Sequence, residues 1–485
     1  MDGVDLAALV RSEEGDLVWF DSALPDDAPA SAAHRARWSV FAPCNGPFAV
    51  RFRHEARSAV IDVAAPARSW FGIARSEDRP AFAVLDDLLA ATPRLDEPLA
   101  GLGFALGWVG FLGYELGRES GGPDRTADGH ADADLRFVDR AVVVRDDGRA
   151  WALVLVSDAE PVASAANRAW LDTVAAPAPV ADVVGGPPSL PDGSAATGRV
   201  SRAAYETAVD ACRAEIREGN AFQVCLTTAF TLPVAAQEAP LGSATDPQLD
   251  EYLRMRATDP VPFGAYLRLG PLRVASRSPE RFLRIDADGG VLAEPIKGTR
   301  RRLEDPEADA VVRGELAASV KDRAENVMIV DLLRNDLLRT ATPGSVHVDR
   351  LCDVETYASV HQMVSTIGAV VPEGTSRAAV VRAAFPPGSM TGAPKISAMA
   401  VSDRLEDVPR GVYSGAIGYF STSGAADLSV AIRTLVTVVG ADGVRSRTLG
   451  AGGAVTWSSV AQDEADEVET KTRSVLGSVG ASASW

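Results

Sequence analysis

Three features of the chain predict an α+β (mixed α/β) fold rich in antiparallel sheet. Strands follow one another in hairpin-like succession, long helical segments interrupt them, and no regular βαβ alternation is visible. Apolar runs at Leu17–Phe20, Trp38–Phe41, Ala141–Val144 and Ala152–Val156 have the length and composition of strands, with Ala-rich segments between them. Pro98 to Tyr114 is uncharged over 17 residues but holds five glycines. At less than the ~20 residues a bilayer demands, it reads as a buried Gly-rich strand and turn, and no transmembrane segment is expected. Arg118 to Asp134, charged and Gly-rich, reads as a loop.

From Ala176 to Gly198 Pro, Gly, Ala and Ser dominate without any period, which is linker composition. The expected organisation is an N-terminal unit over 1–175, a linker over 176–200 and a catalytic domain over 201–478. In the second unit Tyr205–Glu218 has helical spacing and ends at Gly219-Asn220, with a strand over Phe222–Ala229. Gly314–Arg339 is the longest helical candidate, and Asp463–Leu476 is another.

The chain has 485 residues, too many for one simple core, and its 46% apolar content is that of a globular protein. A net charge of -18 argues against nucleic acid and anionic membrane as partners, so an anionic substrate needs a locally basic site. Cys44, Cys212, Cys225 and Cys352 are scattered, without metal-ligand spacing, and the acidic start Met1-Asp2-Gly3-Val4-Asp5 lacks signal-peptide character. A reduced, cytoplasmic setting is expected.

Several segments carry chemistry. Lys297 stands between a proline-led strand end and a glycine in Glu294-Pro295-Ile296-Lys297-Gly298-Thr299. That setting suits a nucleophilic amine, provided its surroundings favour the neutral form; a solvated loop lysine is the competing reading. Glu280 precedes it by 17 residues, a separation suited to neighbouring strands joined through an Asp286–Gly290 turn. A carboxylic acid beside that amine could protonate a leaving hydroxyl. Asp322 and Glu325 share one helix face, and Glu464, Glu467 and Lys471 share another. Together the two acidic faces could offer oxygens to Mg2+, although each alone reads rather as a solvated, salt-bridging face. Pro386–Lys395 resembles a phosphate loop but fails its test, since Ala393-Pro394 stands where Lys and Ser or Thr are required. Arg433, in apolar Ala431-Ile432-Arg433-Thr434, is read as an in-strand arginine paired either with a substrate carboxylate or with an internal acid. Gly450-Ala451-Gly452-Gly453 permits close backbone approach to a ligand.

From about Ser201 to Leu476 these segments resemble the chorismate-utilising enzymes, most closely the aminodeoxychorismate synthase component I branch. The resemblance rests on Asn220–Val224, Ser278–Leu283, Pro295–Thr299, Lys321–Asn326, Asp331–Asp336, Gly388–Lys395 and Ala431–Thr434. It is weaker before the linker, where the first unit looks like the N-terminal part of anthranilate synthase component I. It implies large antiparallel sheets packed as a sandwich with helices outside. It further implies that Lys297 adds to chorismate and Glu280 protonates the departing C4 hydroxyl, a transaminase-type amination that yields 4-amino-4-deoxychorismate for 4-aminobenzoate supply. Substrate contacts would come from Gly298, Thr299, Tyr413, Arg433, Ala451, Gly452, Gly453 and Lys471. Mg2+ would be held by Glu325 and Glu467, supported by Asp322 and Glu464. Anthranilate synthases carry alanine at the position of Lys297, and hydroxylating relatives carry lysine at that of Gln223, so this pair points to amination at C4. No Gly-x-Cys-x-Gly turn is present, so ammonia is expected from a separate glutamine amidotransferase subunit.

Departures from the family pattern matter too. Its frequent histidine aligns with Gln362, one place after His361, and Ser458-Ser459-Val460-Ala461 replaces its Asp-Ser-Asp-Pro. Ser22, Trp38 and Ser39 match a tryptophan pocket, but Asp21-Ser22-Ala23 differs from the segment that accompanies tryptophan feedback. Two other functions remain open: anthranilate synthase component I or another chorismate-aminating enzyme, and a catalytically silent scaffold for a glutaminase.

Overall fold

Among the described residues two twelve-stranded sheets pack face to face with helices outside, as the resemblance implies. The structure, a computed structural model, describes residues 5–22, 35, 38–95, 102–126, 129–175, 190, 193–234, 246–258, 260–357, 360–406, 408–440 and 445–485. Ala23 and most of the Ala176–Gly198 linker lie outside these residues.

The first sheet runs, in spatial order, Ala481–Ser484, Ser194–Gly198, Gln223–Thr231, Arg445–Thr456, Thr434–Val439, Leu272–Ser278, Phe263–Leu269, Leu17–Asp21, Trp38–Pro43, Arg140–Arg145 and Ala150–Val154, with Gly392–Ala393 added beside Gln223–Thr231. The second runs Ile296–Arg301, Val360–Val370, Gly290–Glu294, Arg281–Ile285, Ala426–Val430, Ala416–Ser421, Gly107–Leu112, Ala133–Val138, Val50–Glu55, Ser58–Val63 and Arg75–Glu77, with His347–Thr356 beside Val360–Val370. Among the described strands pairing is antiparallel except between Ser194–Gly198 and Ala481–Ser484. Strands before and after the linker share both sheets, so 176–200 divides the sequence but not the sandwich. Its end, Ser194–Gly198, is itself a strand.

Alternation decides which side chains meet. In Phe263–Leu269, Ala265, Leu267 and Leu269 face the other sheet while Tyr266 faces the helices beneath. Strands buried on both faces read as continuous apolar runs. Gly107–Leu112 is buried throughout, and a Cβ at Gly110 would stand 2.1 Å from the Asp134 carbonyl, which accounts for the Gly-rich run there.

Two readings need correction. Gly314–Arg339 is not one helix but parts of two, Pro306–Ala318 and Val320–Leu338, separated at Ser319. Ser319 is extended and its hydroxyl caps the Asp322 amide, so the second helix starts anew. Arg433 is not within a strand: it lies in the bend between Ala426–Val430 and Thr434–Val439, with φ +50°. Among the described residues no helix is long and apolar enough to cross a membrane.

Candidate active site

The hairpin Arg281–Ile285/Gly290–Glu294 sets the site. Arg281 faces Glu294 in register, so Glu280 and Lys297 lie just beyond the open end of the same hairpin. Its base is fixed by buried ion pairs: Glu294 accepts from Arg281 and from Arg35, the latter at 2.9 Å, while Arg281 also reaches Asp427 at 3.0 Å. A buried pair of this kind is costly to break from one side, which makes the hairpin end a stiff platform.

On that platform Lys297 is half-buried, and its Nζ donates to the Ser389 carbonyl at 3.4 Å. Its charge reaches the carboxylates of Glu280, Glu325 and Glu467. Glu280 is 5% exposed. Burial pushes its carboxyl up to about 7, against the opposing pull of the Ser389 hydroxyl, the Lys297 amine, the Ile296 amide and Lys471. Ser389 Oγ stands beside Glu280 without completing a well-formed hydrogen bond. Near neutrality, then, a large fraction of Glu280 carries the proton that a general acid needs.

Gly298 holds the next position. Its φ is +82°, and a Cβ there would stand 2.9 Å from both Asp322 Oδ1 and Leu316 Cδ1. Gly298→Ala is expected to destabilise the protein by about 1–3 kcal/mol and to displace the adjoining amine. Urea denaturation and steady-state kinetics on the purified variant check this; full stability would show that the backbone there is unstrained.

The two acidic helix faces converge on this strand. On Ala461–Ser478, Glu464 is 2% exposed, accepts from Ser459 Oγ at 2.7 Å, and leaves its Oε2 without a partner. Ser459 also takes the Thr456 amide at 2.9 Å, so the altered Ser458–Ala461 segment is an anchored turn. On Val320–Leu338, Glu325 is buried and its Oε1 accepts no hydrogen bond. Burial raises both carboxyls. Lys321 stands 3.9 Å from Glu325 and 3.6 Å from Glu464. Glu467 is held below the usual carboxylate range by Lys471, 2.7 Å away, and Lys471 also donates to the Gly452 carbonyl at 2.8 Å. Asp322 instead receives Arg300 at 2.7 Å and packs against Gly298. Among the described residues no three acidic, histidine or cysteine side chains close on a metal by themselves. Glu325 Oε1, which has no hydrogen bond and only the Lys321 ammonium at 3.9 Å, and the unpartnered Glu464 Oε2 are nevertheless hard donors of the type Mg2+ takes when other oxygens complete its shell.

Gly450–Gly453 runs along Arg445–Thr456. A Cβ on Gly453 would meet Glu464 Oε2 at 2.7 Å, and one on Gly450 would strike the buried Tyr413 ring. Ala451 is buried, Thr299 is exposed and pairs in register with Gln362, and Arg433 is half-buried. Gln223 is fully buried, with both amide atoms unpartnered. It shares a strand face with Cys225, whose thiol feels Lys297 and Lys471. His361 turns away into a structural cluster, with Nε2 3.0 Å from Asp309 and Nδ1 2.9 Å from Thr356. Ser389, Ser459 and Lys321 were not singled out by sequence. A cavity of about 840 Å³ between the sheets is lined by Ser22 and Trp38, while Ser39 Oγ accepts from the Ser22 amide.

The chain belongs to the chorismate binding enzyme family, whose model matches residues 52–477. It is similar to an aminodeoxychorismate synthase of Streptomyces pristinaespiralis, with 44% identity over 79% of this chain and 52% of that protein, so the chain spans about half the length of that relative. It is 36% identical to aminodeoxychorismate synthase component 1 of Salmonella typhimurium, over 81% of each chain. Among solved structures it resembles anthranilate synthase component I from Streptococcus pneumoniae TIGR4, with a TM-score of 0.72 and 25% identity, over 93% of this chain and 94% of that one.

Proposed function

We propose that the protein aminates chorismate at C4, giving 4-amino-4-deoxychorismate with ammonia from a separate glutamine amidotransferase subunit. The observation that carries this reading is the placement of Lys297 and the buried Glu280 at one hairpin end, both beside Ser389, with burial raising the Glu280 carboxyl to about 7. The Lys297 amine, in its neutral form, bonds through Nζ to C2, the diene electrons shift toward C4, and the C4–O bond breaks as the Glu280 proton leaves with the hydroxyl as water. Ammonia then attacks C4, the electrons return, the C2–N bond breaks to free the neutral amine, and the new C4 ammonium gives its extra proton back to the Glu280 carboxylate. Gln223 supplies no base to activate water, which favours ammonia as the nucleophile. Lys471, Arg433 and the Ala451–Gly453 backbone would orient the substrate, with Thr299 and Tyr413 at its edges.

Glu325 and Glu467, backed by Glu464 and Asp322, would hold Mg2+, which when bound offsets the charge of the ring carboxylate. The cavity beside Ser22 and Trp38 would take an aromatic amino acid such as tryptophan as a structural ligand. Similarity to a relative named as component 1 supports a second subunit.

Incubation with chorismate, ammonium and Mg2+, followed by product mass and ultraviolet spectrum, tests the reading. Aminodeoxychorismate is expected, and chelation of the metal should abolish it. Anthranilate as the product would replace this reading with C2 amination.

A further inference from the structure

Ser389 stands beside both reacting groups: its carbonyl accepts from Lys297 Nζ at 3.4 Å, and its hydroxyl, buried and without a hydrogen bond of its own, lies next to Glu280. It lies in the short turn Gly388–Met390 and is 6% exposed. Two buried cations hold this turn from outside. On one side Lys395 Nζ donates to the carbonyls of Ala384 at 2.5 Å and Pro386 at 2.9 Å, and pairs with Asp336 at 2.6 Å. The side chains of Lys395 and Asp336 keep only 10% and 8% of their surface. On the other side Arg410 donates to the Met390 carbonyl at 2.7 Å and to the Cys225 carbonyl at 2.9 Å, while pairing with Glu406. Asp336 stands on Val320–Leu338, the helix that also carries Glu325.

A buried lysine that satisfies two carbonyls on one short segment fixes that segment's path, because each carbonyl would otherwise be left unpaired. We propose that Lys395 is a positioning residue: locked to Asp336, it fixes the Pro386–Met390 turn so that Ser389 presents its carbonyl to Lys297 and its hydroxyl to Glu280. The proposal rests on the chorismate-aminating reading for its kinetic consequence but not for its geometry. The groups facing Glu280 are Ser389 from the turn, Lys297 and the Ile296 amide from the neighbouring strand, and Lys471 from the C-terminal helix. Loosening the turn removes only the first.

The test compares wild type, Lys395→Met and the double variant Lys395→Met/Asp336→Asn. The single variant leaves Asp336 buried and unpaired, so a loss of activity there could reflect the fold alone. The double variant removes both charges, a change that buried pairs tolerate far better, and its melting temperature should return close to that of wild type. Its kcat should nevertheless stay about a hundredfold down, the scale of a misplaced reacting group, with KM for chorismate little changed. The alkaline limb of its pH profile should move upward as Glu280 loses the Ser389 hydroxyl. Labelling of Lys297 by acetic anhydride without chorismate, read by peptide mass spectrometry, should rise severalfold in both variants. Recovery of kcat together with stability in the double variant, or Lys297 labelling unchanged in both, would overturn the proposal. If wild type forms no aminated product, the functional reading fails while the labelling comparison still decides this one.

Discussion

Lys297→Ala is expected to abolish C4 amination, with kcat reduced by roughly a thousandfold or more, because the covalent route loses its nucleophile. Chorismate binding should largely survive: the amine is half-buried at the edge of the platform, and Lys471 remains as a cation facing Glu280. The expected signature is therefore a fall in kcat with KM little changed. With C4 closed, slow direct amination at C2 becomes visible, and anthranilate should accumulate as the minor product. Chromatography with mass detection separates the two isomeric outcomes. Undiminished aminodeoxychorismate would show that the amine is not the nucleophile.

Glu280→Gln has the second largest expected effect, and it runs in opposite directions for activity and stability. General-acid catalysis contributes about 10²–10⁴-fold, so kcat should fall by that range. In wild type the acid is lost as pH rises through about 7, which gives an alkaline limb that the variant should lack. Stability follows from the same burial. The carboxyl titrates near 4.5 in the unfolded chain and at about 7 in the folded one. Between those values the folded state keeps a proton that the unfolded state has released, so stability falls as pH rises through the window. The cost is fully expressed above about 7, at about 3 kcal/mol. Glutamine removes it, so the variant should be more stable than wild type at pH 8 by up to that amount and equal to it near pH 4. Urea denaturation at the two values checks the sign. A less stable variant at pH 8 would mean that the Lys297 and Lys471 charges outweigh the burial of Glu280.

The parts of the site that local rules govern were legible in the sequence. A 17-residue separation across a turn brought Glu280 and Lys297 to one hairpin end, and helical spacing put Glu464, Glu467 and Lys471 on one face. Ser389 was not legible, because its role depends on a turn meeting the hairpin 92 residues away in sequence. Ser459 was hidden for a similar reason: nothing in Ser458–Ala461 says that its hydroxyl anchors Glu464. The break at Ser319 did carry a signal, the capping pattern Ser319-x-x-Asp322, outweighed by the helical character on either side. Arg433 looked like a strand residue because its neighbours are apolar, yet strand composition does not encode a left-handed bend. Most of all, linker composition at 176–200 marks a change in texture only. Pairing of Leu17–Asp21 with Phe263–Leu269 carries the first sheet across it.

The central claim is that Lys297 forms a bond to the substrate on the way to C4. It is tested most directly by acid-quenching the protein with chorismate and Mg2+ in the absence of ammonia, then mapping adducts by peptide mass spectrometry. The peptide that contains Lys297 should gain the mass of chorismate less one water, and the adduct should discharge when ammonium is added before the quench. Trapping of the adduct on a different residue, or aminodeoxychorismate formed at full rate by a Lys297→Ala variant that traps nothing, would contradict it.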